Sequence, residues 1–175
     1  FAGVATPWLP FDGSDALAAM PGVEVVPLDV TDANSVRELA GEIGGKTDIL
    51  INTARHVRPG SVLGSDTVFA REEFEINALG LMRLAQAFGP GMASRTADGI
   101  NSAVAFVNLL SVHALSADPQ YGAFSASQAA APVVGVGGHR LDVPAAQRSY
   151  GVQQPPKHNR AVGEHPVVVD DQRVS

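Results

Sequence analysis

The sequence predicts an α/β domain built on a doubly wound parallel sheet. Three observations lead there. Short apolar runs rich in β-branched residues stand at 1–5, 23–28, 48–52 and 103–110, and helical spacing fills the stretches between them. Pro and Gly mark the junctions. Strands buried on both faces read as unbroken apolar runs, and their alternation with helices implies βαβ units.

The elements follow in order. FAGVA at the start is the tail of a strand, and VEVVPL, introduced by Pro21-Gly22, is a second. In TDANSVRELAGEI, Thr31 or Asp32 offers an N-cap. Val36, Leu39, Ala40 and Ile43 then recur at helical spacing until Gly44-Gly45 ends the helix. DILIN at 48–52 is a short buried strand. A polar loop leads to a long helix over about 70–92, with Phe74, Ala78, Leu81, Met82, Ala85 and Phe88 on its apolar face. AVAFVNLL is a continuous apolar strand, and YGAFSASQAAA is a helix that Pro132 should break. Beyond position 131, Leu141 is the one Leu, Ile, Phe, Met or Trp, so element assignment stops there.

Composition narrows the class. A chain of 175 residues suits one domain. With 45% hydrophobic and 17% charged residues it can build a core and is not a disordered tail. The net charge of -6 and the scattered Lys and Arg argue against nucleic acid and anionic membrane as partners. The absence of Cys excludes disulfides and thiolate metal sites, and no other metal-ligand set is expected. There is no apolar run near the ~18 residues of a transmembrane helix. A reducing, cytoplasmic setting is the expectation.

Two phosphate-loop look-alikes fail on context. AGEIGGKT at 40–47 has a helix before it and a strand after it, the reverse of what a phosphate cradle at a helix N-terminus requires. It is expected to be a helix end. GVGGHR at 135–140 lacks the third glycine of a dinucleotide fingerprint.

The stronger signal is an ordered series: PLDVTD at 27–32, DILINTAR at 48–55, FEINALG at 74–80, FVNLLSVHAL at 106–115 and YGAFSASQAA at 121–130. Each segment alone is unspecific. In this order, one per βα unit, the series resembles the short-chain dehydrogenases/reductases over residues 1–131, and GEHPVVVDD at 163–171 is similar to the family's Pro-containing segment after its sixth strand. The resemblance implies a Rossmann-type doubly wound sheet. Residues 1–131 would form a partial dinucleotide-binding domain and 132–175 its degenerate C-terminal part. The family's first strand, glycine-rich turn and first helix would precede Phe1, so the sheet is expected to lack its first βα unit and a central strand.

By the same resemblance, Asp29 and the backbone at Val30 would meet the adenine, Asn52 and Ala54 would sit beside the cofactor, and Pro166 would touch it. Asn77 would shape the active-site helix and hold a proton-relay water. Ser111 would hydrogen-bond the substrate oxygen. Each has a plainer reading, since Asp29 and Ser111 can cap turns and Asn52 can satisfy backbone groups at a strand end.

The series also departs from the family at its chemistry. The family's tyrosine and lysine fall on Phe124 and Gln128, one without an ionisable group and the other without a charge. Tyr121 lies three residues upstream but has Ser125, not a cation, four residues on. Arg55 replaces a glycine that lets the backbone approach the dinucleotide. Gly135, Gly137 and Gly138, following Pro132, dilute the helix that usually builds the dimer interface, although a homo-oligomer stays compatible with the resemblance. The expected function is an NAD(P)-dependent oxidoreductase acting on a small-molecule carbonyl or secondary alcohol, impaired in this chain. The alternative is an inactive relative serving as a binding or scaffolding subunit. Ala5-Thr6, where members that select NADP often carry Arg, favours NAD.

Overall fold

The computed structural model describes residues 1–5, 14–97, 104–134, 166–170 and 172–173. Five parallel strands form the main sheet: β1 Ala2–Val4, β2 Val25–Pro27, β3 Ile49–Asn52, β5 Ala105–Asn108 and β6 Pro166–Asp170. Their order is β2-β1-β6-β3-β5. A second, two-stranded sheet pairs β4 Arg55–His56 with β7 Gln172–Arg173, also in parallel. Every main-sheet strand expected from the apolar runs forms, trimmed by a residue or two at its ends.

The order explains where a ligand would bind. The chain winds outward from β1 to β2 on one side and from β3 to β5 on the other, so its direction reverses across β6. In open parallel sheets the crevice at such a switch point, outside the carboxyl ends of the strands, is the binding place.

The centre of the sheet corrects the sequence reading. No gap opens between β1 and β3, because β6 lies there, pairing Gly3 with Val169 and Ile51 with Val168. Residues 166–170, expected to belong to a segment that follows a sixth strand, are therefore themselves a strand. A parallel β-branched run satisfies two neighbours' backbone groups, which a loop could not do at this position. Residues 166–170 thus contribute a central strand to the main sheet.

Helix α2, Ala33–Ile43, starts as predicted, with Asp32 accepting the Asn34 N–H at 2.8 Å. Its buried residues are Val36, Leu39 and Ile43. A 3-10 turn, Gly44–Lys46, follows, and the Thr47 hydroxyl donates to the Ile43 carbonyl at 2.9 Å. AGEIGGKT is a helix end running into β3, not a phosphate loop. A short helix α1, Ser14–Ala18, joins β1 to β2 and is too brief to carry a periodic signal.

The long helix differs in phase. It comprises α3 Thr67–Phe74, a π-helical stretch Glu75–Gly80 and α4 Leu81–Ala97. A π turn inserts a residue and rotates everything after it, so a 3.6-residue period cannot describe both ends. Ala78, Leu81 and Phe88 are buried as predicted, but Phe74 and Met82 are exposed, and Ile76, Leu84 and Met92 take their place. Helix α5, Gly122–Val134, runs through Pro132 rather than stopping at it. The proline lies in the last turn, where its missing N–H deprives only the Gln128 carbonyl of a helical partner.

The main core joins Leu28, Val30, Leu39, Ile43, Leu50, Leu84 and Phe88 between sheet and helices. Cutting one of these leucines back to alanine would cost about 2–5 kcal/mol. Two glycines allow the close packing. A Cβ on Gly80 would stand 2.9 Å from Val30, and one on Gly91 would stand 3.0 Å from the Gly44 backbone.

Candidate functional site

The carboxyl edge of the sheet is set by Val4, Pro27, Asn52 and Asn108, which the strand registers bring level. Asn52 is buried and knits this edge together. Its amide donates to the Asn108 side chain at 2.8 Å, and its carbonyl oxygen accepts the Ala54 N–H at 3.2 Å. Ala54 is buried beside it, and Arg55 turns outward to begin β4. Asn52 thus fulfils the plainer strand-end role.

At the end of β2 the Asp29 carboxylate accepts from the Thr31 N–H at 2.8 Å and from its hydroxyl at 2.7 Å. The Asp29 N–H donates to Ser35 Oγ at 3.0 Å. Val30 is fully buried, and its carbonyl accepts from Arg83 at 3.2 Å. Pro166 is not at this edge. It pairs with Ile49 at the amino end of β6, three residues or roughly 10 Å from the level of Asn52.

The loop after β5 carries Ser111, which caps a 3-10 turn, Val112–Ala114. The Ser111 Oγ accepts the His113 N–H at 3.3 Å and lies 2.9 Å from His113 Nδ1. The Ser111 N–H donates to Gln128 Oε1 at 3.0 Å. Gln128 is 3% exposed, so the side chain in the lysine slot is turned inward to hold this loop. Phe124 is buried as well, its ring edge-on to His113 at 5.3 Å and to Tyr121 at 6.5 Å. The amino end of α5 is pinned by the Gly122 N–H, which donates to the Gly60 carbonyl at 3.1 Å. A Cβ on Gly122 would collide with Val62.

Asn77 lies in the π turn, and its side chain is fully engaged. Its carbonyl oxygen accepts the His56 N–H at 2.7 Å, and its amide donates to the His56 carbonyl and to Ser127 Oγ, each at 2.8 Å. Ser127 in turn donates to the Phe124 carbonyl at 2.8 Å. Asn77 and Ser111 therefore both grip α5, at the adjacent residues Ser127 and Gln128. The structure brings together Asn77, Ser111, Phe124 and Gln128.

Three charged or titratable groups near this constellation were missed by the sequence reading. His113 and Asp118 flank the serine loop, and His113 was visible two residues from Ser111. Glu73 is buried, its Oε1 accepting the Arg58 N–H at 2.9 Å. Burial pushes its carboxyl above the usual range, against the pull of that hydrogen bond and of His56 and Arg58. In sequence it is one of three glutamates on the predicted helix, with Glu72 and Glu75, and nothing there marks it as the inward one.

The donor set at the edge bears on whether a dinucleotide fits. At the end of β2 the Asp29 carboxylate, next to the buried apolar Val30, is an acceptor of the kind an adenine amino group needs. At the switch point, where a glycine-rich turn would cradle a pyrophosphate, β6 is followed by β7 paired along β4. The residues described there supply no such turn.

Comparison with known proteins agrees with this geometry. The family model described as enoyl-(acyl carrier protein) reductase matches residues 11–134. A short-chain dehydrogenase of Aspergillus ruber is 34% identical over 84 residues, covering 46% of this chain and 29% of that protein. An uncharacterized oxidoreductase of Mycobacterium tuberculosis is 35% identical over 112 residues, covering 61% of this chain and 31% of its own length. Among solved structures, a short-chain dehydrogenase from Burkholderia cenocepacia in complex with NADP superposes with a TM-score of 0.63. It is 33% identical and the match covers 76% of this chain and 51% of that one. A short-chain dehydrogenase from Streptomyces avermitilis also gives 0.63, at 26% identity, with 76% and 48% covered. The chain thus spans about half of these solved structures and about a third of the curated relatives. With its parallel sheet, its ordered strand-end residues and these matches, the chain belongs to the short-chain dehydrogenase/reductase family.

Proposed function

We propose that the chain is an NAD(P)-dependent oxidoreductase that moves a hydride between a nicotinamide and a carbonyl or secondary alcohol, with an impaired proton step. The observation that supports this most is Ser111. It stands on the loop after β5, at the carboxyl edge, half-buried and with its backbone fixed by Gln128. When bound, the dinucleotide supplies or takes the hydride. Ser111 Oγ would hydrogen-bond the reacting oxygen, Asp29 would accept from the adenine amino group, and Asn77 would hold α5 in place through Ser127. Ala5-Thr6 favours NAD over NADP, because no guanidinium follows β1 to meet a 2′-phosphate.

Phe124 cannot give or take a proton, and loss of a positioned general acid typically costs on the order of 10²–10⁴ in rate. Slow turnover is the expectation. Titration with NADH and with NADPH, followed by cofactor fluorescence, tests the reading, and a panel of carbonyl substrates then measures turnover. Failure to bind either dinucleotide would refute it.

A second reading, a catalytically silent binding or scaffolding subunit, is favoured by one specific observation. Gln128 spends its carbonyl oxygen on the Ser111 N–H instead of presenting it to a ligand. Dinucleotide binding without turnover, even after Phe124→Tyr with Gln128→Lys, would support that reading.

A further inference from the structure

Beside Ser111 stands a titratable ring that the family's tyrosine and lysine positions do not account for. His113 Nδ1 is 2.9 Å from Ser111 Oγ, and the same oxygen accepts the His113 backbone N–H, which pins the hydroxyl against the ring. On the far side of the imidazole, Nε2 is 3.9 Å from Asp118 Oδ2. Asp118 is itself anchored. Its Oδ1 accepts the Gln120 N–H at 2.8 Å, and its own N–H donates to Ser125 Oγ at 3.2 Å. The His113 and Asp118 side chains are 22% and 43% exposed, so the pair reaches water. The ring packs edge-on against Phe124 and Tyr121, each at 5.3 Å.

We infer that His113 is the proton-relay residue of this site, exchanging a proton with the substrate oxygen through Ser111 Oγ, with Asp118 facing its outer nitrogen. The inference rests on the oxidoreductase reading and gives it the proton route that Phe124 cannot provide. In the carbonyl-reducing direction, a reduced nicotinamide, when bound, would supply the hydride to the carbonyl carbon, leaving the electron pair of the former π bond on oxygen. That oxygen takes the Ser111 Oγ proton, and Oγ takes the Nδ1 proton of the imidazolium. The imidazole is left neutral, its remaining proton on Nε2 towards Asp118, and water reprotonates it after product leaves. One hydride and one proton have then been added, giving the alcohol. Alcohol oxidation runs the same transfers backwards.

The titratable groups facing His113 are Asp118 and Tyr121. Helix α5, which packs against this turn, carries none in its sequence. Two measurements test the relay. Imidazole nitrogen resonances, recorded without cofactor and assigned with His113→Asn, should shift at His113 Nδ1 in Ser111→Ala. An unchanged resonance overturns the relay whatever the cofactor does. With dinucleotide binding confirmed, His113→Asn should lower kcat by roughly 100-fold. It should also remove a limb of the kcat–pH profile, leaving the cofactor Kd within about twofold. Adding Phe124→Tyr should recover part of that loss. Binding and turnover with an unaltered pH profile in His113→Asn overturn the relay alone. Absence of dinucleotide binding in the unaltered chain overturns the oxidoreductase reading and the relay together.

Discussion

Gln128 Oε1 accepts the backbone N–H of Ser111 at 3.0 Å, so the residue in the family's lysine slot holds the serine loop. This reshapes what a restoring substitution would do. Lysine has three donors and no acceptor, so Gln128→Lys alone would face an N–H with an ammonium and leave that N–H without a partner. Removing a buried partner typically costs about 1–3 kcal/mol. Gln128→Lys should therefore lower stability by about that much in urea unfolding, and Gln128→Glu, which keeps an acceptor, should lower it less at neutral pH. Equal losses in the two variants would mean that the bond contributes little.

Phe124→Tyr places a phenol where the family has one, edge-on to His113. With no cation at 128 to favour the phenolate, the gain should fall short of the full general-acid effect. An increase in kcat of about tenfold, with the pH optimum moved upward, is the expected outcome in steady-state assays. No gain with any carbonyl substrate that the unaltered chain turns over would show that the phenol is misplaced.

How much of this was legible in the sequence depends on how local each signal is. The strands at 49–52 and 105–108 and the helix at 33–43 were readable because periodicity, caps and breakers lie within them. Ser111, Asn77, Phe124 and Gln128 could be grouped because the ordered series of segments that carries them resembles the family's. The phase of the long helix was not readable, since a π turn leaves no local mark and shifts Phe74 and Met82 outward. Nor was the place of β6, a pairing between segments more than a hundred residues apart in a stretch poor in large apolar residues. The inward turn of Gln128 depends on tertiary contact with Ser111, and sequence could give only the residue type.

The central position of β6 makes a backbone prediction. Val168 pairs with Ala2 on one side and Ile51 on the other. Proline there removes a ladder hydrogen bond, and its ring does not fit between two paired neighbours. Val168→Pro should cost about 3 kcal/mol or more and lower the urea midpoint accordingly, whereas proline in an unpaired tail would change it little. An unaltered midpoint would remove β6 from the sheet and reopen the gap between β1 and β3.

Glu73 gives a pH dependence whose sign follows from burial. Its carboxyl is 2% exposed and is held above the ordinary carboxylate range, chiefly by desolvation. The folded chain therefore keeps this proton at pH values where the unfolded chain has lost it. Stability from this group is fully present below the unfolded carboxyl's titration, falls as pH rises through the window up to the folded value, and is level above it. Glu73→Gln keeps a carbonyl oxygen for the Arg58 N–H and removes the ionisation. The variant should be the more stable chain at neutral pH, and its advantage should shrink to near zero as pH falls below the ordinary carboxylate range. Urea midpoints for both chains across that range would test this. A variant less stable at neutral pH would mean that attraction from His56 and Arg58 outweighs the cost of burying the charge.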